Sequence, residues 1–277
     1  MTSAPGPRVA AFFDLDGTLI PGSANLALAK AAFRAGMVGK RALALDVARN
    51  VSFVLRGASD DATGKVRDRI LRGVQGHRAT DVEALAESFV DDLVATITPV
   101  MREVLAEHVG AGHHLVLVSA SPTEIVQRFA VAAGLHYGVG TTARRDADGR
   151  YDGTLAGPFC YRDGKAEVVR TLAAEHGYDL ADCFAYSDSI SDQPMLSIVG
   201  NPVAVNPEYQ LRAVAVERGW RIVDTGRLRS GIQGLQTAIR ATAATPGKAW
   251  RGSRAGVSKG RERVARRRDA EPAVEAE

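Results

Sequence analysis

The segment 9–19 constrains the fold of this chain more than any other. Its first residues, Val-Ala-Ala-Phe-Phe, form a short apolar run, which is typical of a buried strand. The run ends in Asp14 and Asp16, and Gly17 and Thr18 follow directly. Burying two acids beside a core lowers stability unless another interaction compensates for it. The segment therefore predicts a strand whose end has a chemical role.

Two kinds of chemistry fit a pair of carboxylates at that position. Carboxylates are preferred ligands of hard cations. A reaction that needs a nucleophile beside a proton donor also uses two acids. The alternative is a simple turn in which Asp14 and Asp16 are solvated and Gly17 only shapes the backbone.

The composition is that of a globular protein of one or two domains. The chain has 277 residues, of which 45% are hydrophobic and 24% charged. Its two cysteines, Cys160 and Cys183, form no CxxC pair, which favours a reducing compartment and argues against a metal–thiolate site. The start has no signal-peptide pattern, and no apolar run approaches the roughly 18 residues of a membrane-spanning helix. These features predict a soluble, cytoplasmic protein.

The net charge of +3 is unevenly distributed along the chain. Of the 35 basic and 32 acidic residues, nine and five lie in 248–277, which leaves 26 and 27 for 1–247. The composition at 241–277 predicts a disordered basic tail. Such a tail either keeps the protein in solution or contacts an anionic membrane. Binding to nucleic acid is not expected, because Trp250 is the tail's only aromatic residue.

The region after the first strand shows helical periodicity and no strand pattern. Apolar residues recur at i, i+3 and i+4 spacing over 25–35, 40–55, 62–73 and 82–97. Pro99 then begins a further helix, over 100–109. The pattern predicts an all-helical insertion at 22–98, flanked by the two parts of a core domain, 1–21 and 99–240.

Strand and helix patterns alternate from residue 115 onward. Strands are predicted at 115–118, 183–186, 203–205 and 221–224, and helices at 122–134, 165–175 and 208–217. A turn at 146–149 predicts a hairpin between 137–142 and 151–155. Such alternation builds a parallel sheet with helices on both faces, so the predicted fold class is α/β with a Rossmann-like core.

Polar side chains follow three of the predicted strands. Besides Asp14 and Asp16, these are Ser119 and the pair Ser187-Asp188. Ligands of such sheets bind at the carboxyl ends of the strands, so these residues are expected to meet in one crevice. Asp192 follows Asp188 by one helical turn, and Lys165 begins the preceding helix. Together they suit Mg²⁺ and a phosphoryl group.

Each of these residues also has a simpler interpretation. Ser119 could merely end a strand, and Lys165 could be a solvated lysine in a first helical turn. Asp188 and Asp192 could cap a helix. The occurrence of all of them in this order, at strand ends, favours the shared site.

The four motifs together resemble those of the haloacid dehalogenase superfamily. They are Asp14-Leu-Asp16-Gly-Thr18, the strand ending in Ser119, Lys165, and Asp188-x-x-x-Asp192. The segments 118–122, 185–196 and 203–207 are similar to the subfamily IB hydrolases related to phosphoserine phosphatase. The resemblance covers about residues 8–225. It implies that the helical insertion is a type 1 cap.

The resemblance also implies a role for each motif residue. Asp14 would attack phosphorus and form an aspartyl-phosphate, and Asp16 would protonate the leaving oxygen and then activate water. Ser119 and Lys165 would bind the phosphoryl group. The expected cofactor is Mg²⁺, held by Asp14, Asp16 through its backbone carbonyl, and Asp188, with Asp192 as a ligand or as an orienting residue.

The expected function is Mg²⁺-dependent hydrolysis of a small phosphorylated metabolite. Phosphoserine itself is disfavoured, because no acid occurs between Asp16 and Asp46 to meet an amine. One alternative is a phosphatase that acts on a phosphorylated lipid and is recruited by the basic tail. Another is a regulator that binds a phosphometabolite without turnover. The oligomeric state is open.

Overall fold

The computed structural model describes residues 8–36 and 62–226. The strands are β1 (Ala10–Phe13), β2 (His114–Pro122), β3 (Tyr137–Thr141), β4 (Ala143–Arg145), β5 (Tyr151–Leu155), β6 (Phe184–Ser187), β7 (Asn201–Val205) and β8 (Arg221–Val223). The α-helices are α1 (Ala24–Arg34), α2 (Ala62–Val74), α3 (Ala79–Ala95), α4 (Pro99–Gly110), α5 (Thr123–Ala132), α6 (Asp163–His176), α7 (Gln193–Leu196) and α8 (Tyr209–Arg218). A short 3₁₀ turn at Ile190–Asp192 precedes α7.

Six strands form one parallel sheet in the order β3-β2-β1-β6-β7-β8. The order runs outward in both directions from β1, so the chain reverses direction along the sheet at the junction of β1 and β6. In open sheets of this type, such a switch point leaves a crevice at the carboxyl ends of the strands. Asp14 follows β1 directly, and its backbone N–H donates to the Tyr186 carbonyl of β6 at 3.0 Å.

The central strand β1 is buried on both faces, which explains its unbroken apolar sequence. Ala11 and Phe13 pack in a core with residues of α1, α3, α4 and α5. Ala10 and Phe12 point the other way, into a core with residues of α6, α7 and α8. Successive side chains of a strand alternate between its faces, so four residues serve both cores.

The predicted α/β fold class with a Rossmann-like parallel sheet is confirmed. In the described part of 22–98, helices α1, α2 and α3 lie between β1 and β2, and no strand occurs there. The helix expected at 40–55 and the basic tail expected at 241–277 both lie outside the described residues. The domain boundaries at 21, 98 and 240 stay predictions. Within the described ranges, no helix has both the length and the apolar character needed to cross a membrane.

One arm of the predicted hairpin was assigned wrongly. The strand Tyr137–Thr141 belongs to the parallel sheet as its edge strand β3, paired with β2. The hairpin is instead built from β4 and β5, which pair antiparallel across the turn at 146–149. Asp146 shapes that turn, because its Oδ1 accepts the N–H groups of Asp148 and Arg150 at 3.0 and 2.8 Å. The turn was predicted correctly, whereas the strand pairing was not.

The hairpin β4–β5 packs against the helices of the insertion. Tyr151 exchanges backbone hydrogen bonds with the link between α2 and α3: its N–H donates to the His77 carbonyl at 3.0 Å, and its carbonyl accepts from Gly76 at 2.9 Å. A small apolar cluster fills this contact, made of Leu71, Val74, Ala79, Val82, Ala143 and Tyr151. Although 143–155 is distant in sequence from 62–95, the two segments share a core.

Candidate active site

The predicted site residues meet at the carboxyl edge of the sheet, around the junction of β1 and β6. Five of them are buried, with exposed fractions of 2% to 7%: Asp14, Ser119, Lys165, Asp188 and Asp192. The sixth, Asp16, is half-buried. Buried acids and a buried lysine require oppositely charged or hydrogen-bonding partners, so the contacts of these residues indicate the chemistry that the site can support.

Lys165 is the central cation of the site. Its Nζ lies 2.5 Å from Asp14 Oδ1 and 2.7 Å from Asp192 Oδ2. Helix α6 carries Lys165 in its first turn. Ser187, the last residue of β6, donates its hydroxyl to the same Asp192 oxygen at 2.7 Å. Asp192 is therefore held from two sides and in turn fixes the ammonium group.

Burial and charge act against each other at this cluster. Burial raises the pKa of Asp14 above its ordinary value, Lys165 lowers it, and Asp192 raises it again. Burial lowers the pKa of Lys165, but the two adjacent carboxylates raise it by more, so the amine stays an ammonium ion. The net effect raises the pKa of Asp14 to about 7, and the ammonium group of Lys165 opposes this rise and so favours the carboxylate form that a nucleophile requires.

Asp188 lies against the loop that follows β1. Thr18 Oγ1 lies 3.4 Å from Asp188 Oδ1 and also 3.4 Å from Asp14 Oδ2. Gly17 has a φ of +84°, and a Cβ on it would lie 2.3 Å from Asp188 Oδ2. Only glycine therefore lets the loop pass so close to Asp188. The second oxygen of Asp14 faces Asp188 across Thr18, while the first faces Lys165.

The loop after β6 is secured by a residue that the sequence did not indicate. Glu208 Oε1 accepts the backbone N–H of Ile190 at 2.8 Å and the hydroxyl of Ser189 at 3.2 Å. The N–H of Glu208 also donates to the Asp188 carbonyl at 2.9 Å. Glu208 precedes α8, 20 positions after Asp188, and nothing in the local pattern distinguishes it from a solvated first-turn acid.

Asp16 does not join the Lys165 cluster by hydrogen bonds. Its Oδ1 accepts the N–H of Ala24 at 2.8 Å, and its Oδ2 accepts the Ser23 hydroxyl at 3.0 Å. Burial raises the pKa of Asp16, while these two hydrogen bonds at the start of α1 lower it. The side chain thus caps the N-terminus of the first insertion helix, where a carboxylate is favoured.

Ser119 lies two residues before a second serine, Ser121, which was not among the predicted site residues. The N–H of Ser121 donates to Ser119 Oγ at 3.2 Å. Ser121 is 1% exposed, and its Oγ accepts a hydrogen bond from Asn25 Nδ2 of α1 at 3.1 Å. Neither Asn25 nor Ser121 was predicted as a site residue, because the role of each depends on a contact between segments 96 positions apart.

The donor set fits a magnesium ion. Mg²⁺ binds through one or two carboxylates and keeps waters or substrate oxygens in its other positions. Asp14 and Asp188 are two such carboxylates that face each other across Thr18. In the described ranges, no three His, Cys, Asp or Glu side chains form a complete ligand cage, an arrangement that Mg²⁺ does not require.

The sequence and the fold are both similar to those of known proteins. The chain is 38% identical over 252 residues to a probable phosphatase of Mycobacterium tuberculosis, covering 88% of this chain and 86% of the relative. It is 36% identical over 240 residues to a phosphoserine phosphatase of the same organism, covering 85% and 77%.

Two solved structures are similar to this chain in fold. A Bordetella pertussis protein of unknown function has a TM-score of 0.68 at 31% identity, covering 79% of this chain and 99% of its own. A substrate-bound phosphoserine phosphatase has a TM-score of 0.56 at 18% identity, covering 79% and 94%, and is similar in fold.

The family model of haloacid dehalogenase-like hydrolases matches residues 11–197, which run from β1 through the Asp188–Asp192 loop. The match includes all six predicted site residues. The chain therefore belongs to the haloacid dehalogenase-like hydrolase family, and the prediction that it is a phosphatase of this family is confirmed.

Proposed function

We propose that this enzyme hydrolyses the phosphate ester of a small metabolite, with Mg²⁺ as cofactor and an aspartyl-phosphate on Asp14 as intermediate. The observation that carries the proposal is the placement of Lys165 between Asp14 and Asp192, buried at the sheet's switch point. A buried carboxylate with a permanent cation on one oxygen and a second carboxylate facing its other oxygen suits phosphoryl transfer.

In the first step, the Asp14 carboxylate forms a bond to phosphorus while the ester P–O bond breaks. Lys165 neutralises charge on Asp14 and on the phosphoryl oxygens, and Asp192 keeps the ammonium in place. Ser119 donates its hydroxyl to a phosphoryl oxygen. Asp14, the Asp16 carbonyl and Asp188 would hold the Mg²⁺ ion, which supplies further neutralisation of the phosphoryl charge.

Asp16 moves the proton in both steps. It gives a proton to the leaving oxygen and then takes one from the water that releases phosphate from Asp14. Ser23 suits both states, because its hydroxyl can donate to a carboxylate or accept from a carboxylic acid. The Ala24 N–H can only donate, so the proton belongs on Oδ2, the oxygen that faces Ser23.

The leaving-group side of the site bears on the choice of substrate. The first turn of α1, which touches both Asp16 and Ser121, contains no acid of its own. A substrate that needs a carboxylate partner for an ammonium group therefore finds none in that turn. This supports a phosphorylated metabolite other than phosphoserine.

Phosphate release from a panel of phosphomonoesters, with Mg²⁺ and with EDTA, tests the proposal. We expect turnover that requires Mg²⁺ and that is lost in the Asp14→Asn variant. Turnover that persists in that variant would refute the aspartyl-phosphate. Tight binding of an ester without phosphate release would favour the regulatory alternative instead.

The basic segment 248–277, with nine basic and five acidic residues, supports a second candidate substrate, a phosphorylated lipid. A chain ending at residue 247 separates the two. If the substrate is a lipid, the truncated protein loses activity on anionic vesicles and keeps its activity on a soluble ester. Equal activity of the full-length and truncated proteins on vesicles excludes recruitment by the tail.

We also propose that the reaction takes place in the cytoplasm, which the two free, buried cysteines support.

A further inference from the structure

A chain of hydrogen bonds connects the insertion to the phosphoryl-binding serine. Asn25, in the first turn of α1, donates its Nδ2 to Ser121 Oγ at 3.1 Å. The backbone N–H of Ser121 donates to Ser119 Oγ at 3.2 Å. We call these three residues the serine relay. It begins in the helical insertion and ends at the catalytic edge of the sheet.

The relay determines where the serine protons can point. A serine hydroxyl has one proton to donate and two lone pairs to accept with. Ser119 accepts from the Ser121 N–H, so its own proton is directed away from the loop backbone. Ser121 accepts from Asn25 in the same way. Both hydroxyls are therefore arranged as donors, as the oxygens of a phosphoryl group require.

The backbone of Ser121 has no room to move away from this contact. A Cβ on Gly140 of β3 would lie 2.7 Å from the Ser121 carbonyl oxygen and 2.8 Å from Thr123 Cα. Only a glycine lets β3 support the loop so closely. Ser121, at 1% exposure, is thus enclosed by β3 behind and α1 in front.

We propose that Asn25 is a positioning residue for the hydrolytic reaction, and that it orients the Ser119 hydroxyl through Ser121. This proposal rests on the function proposed above and adds a residue from outside the four motifs. The seating of α1 on the core then controls how well the phosphoryl group is bound. The Ala24 N–H in the same first turn donates to Asp16, so the start of α1 contacts both the loop after β1 and the end of β2.

A double-mutant cycle with p-nitrophenyl phosphate tests the relay. Asn25→Ala is expected to lower kcat/KM about tenfold, the loss of one productive hydrogen bond. In the Ser119→Ala background, the same substitution is expected to change kcat/KM less than about twofold, because its target is gone. Equal losses in the two backgrounds, or no loss in the wild-type background, would overturn the proposal.

Two controls separate the relay from general stability. Lys30→Ala alters an exposed residue of the same helix and is expected to leave kcat/KM unchanged. Asn25→Asp keeps the shape of the side chain, but a carboxylate can only accept a hydrogen bond. The Ser121 hydroxyl would then have to donate to residue 25 instead of accepting from it. This substitution is expected to lower kcat/KM at least as much as Asn25→Ala, and full activity in this variant would contradict the relay.

A binding measurement keeps the test independent of turnover. Titration calorimetry with inorganic phosphate is run on wild type, Asn25→Ala, Ser119→Ala and the double variant. If the wild type binds phosphate but hydrolyses no ester, the proposed function fails. The relay is still supported in that case if Asn25→Ala weakens phosphate binding in the wild-type background and has no effect on it in the Ser119→Ala background. Equal weakening in both backgrounds, or no phosphate binding by the wild type, refutes it.

Discussion

Lys165 Nζ lies 2.5 Å from Asp14 Oδ1, although 151 positions separate the two residues in sequence. The same nitrogen contacts Asp192, so one positive and two negative charges share a buried space. Such a cluster is costly to desolvate and is stable only while complete. The site therefore couples stability to the presence of each of its charges.

Lys165→Met is expected to abolish turnover and to destabilise the fold. Without the ammonium, Asp14 and Asp192 are left buried and unpaired, which costs about 3–5 kcal/mol. Urea denaturation measures this loss. Asp14→Asn is the matched control: it removes one acid and leaves the Lys165–Asp192 pair intact, so it should lose turnover while losing far less stability. Equal destabilisation by both substitutions would contradict this account.

Magnesium is expected to stabilise the protein through Asp14 and Asp188. A ligand that binds only the folded state, at a hundred times its Kd, adds about 2.7 kcal/mol to the free energy of unfolding. The midpoint of thermal unfolding should therefore be higher with Mg²⁺ than with EDTA. Asp188→Asn should reduce this difference in unfolding midpoint. If the difference is unchanged in the variant, Asp188 is not a metal ligand.

Gly17→Ala is expected to inactivate the enzyme. Its φ of +84° costs a residue with a Cβ about 1–2 kcal/mol, and the new Cβ would lie 2.3 Å from Asp188 Oδ2. Gly149→Ala is the comparison, because Gly149 has a φ of +73° but open space around its Cβ position. Both variants should lose stability, and only Gly17→Ala should lose phosphate release.

Tyr151→Phe is expected to destabilise the protein by about 1–3 kcal/mol, because it removes a hydrogen bond to a buried carboxylate. The Tyr151 hydroxyl donates to Glu124 Oε1, and Glu124 is 3% exposed. Burial and Glu124 together raise the pKa of Tyr151, so the hydroxyl remains a donor at every working pH. Tyr161→Phe is the control, since the Tyr161 hydroxyl makes no hydrogen bond within the described residues. Equal urea midpoints for the two variants would disprove the assignment.

Stability is expected to fall as the pH drops from 6.5 toward 4. Burial, with help from His113 and Arg221, lowers the pKa of His108 to about 4 from the ordinary 6.5. Between these values the unfolded chain binds more protons than the folded one, so acid favours unfolding, by up to about 3 kcal/mol for complete protonation. In the folded protein His113 and Tyr186 contact the two ring nitrogens of His108, at 2.8 Å each, so the ring is held in this buried position.

His108→Gln isolates this contribution, because other groups also titrate in acid. Urea midpoints at pH 7 and pH 5 should differ less in the variant than in the wild type. His77→Gln serves as the comparison, since His77 contacts the hairpin through its backbone carbonyl. A pH dependence that is identical in His108→Gln and wild type would exclude His108 as its source.

The strand-end residues of the site could be predicted because their signal is local. Asp14, Ser119 and Asp188 each follow an apolar run, and a parallel sheet brings such ends together. The placement of Tyr137–Thr141 could not be predicted in this way. Its glycines break the apolar pattern, because Gly138 and Gly140 are needed where α5 and the Ser121 loop approach β3 closely.

Residues that act across long distances in sequence were missed for a different reason. Asn25 and Glu208 read as ordinary first-turn residues of their helices, and only the packing of those helices on the catalytic loops gives them a role. Even for Asp16, the sequence placed the residue correctly but gave no sign that its carboxyl group caps α1. Patterns along the chain thus predicted which residues meet at the site, but not the residues that hold them in place.

The contact between the hairpin and the insertion helices limits how this enzyme can be recombined. A chimaera that exchanges 22–98 alone would face Tyr151 and Ala143 with foreign side chains and would lose the backbone pairing at Gly76 and His77. The segments that must be exchanged together are therefore discontinuous in sequence, with one piece before β2 and one after β3. Grafts that move both pieces together should fold, and those that move either alone should not.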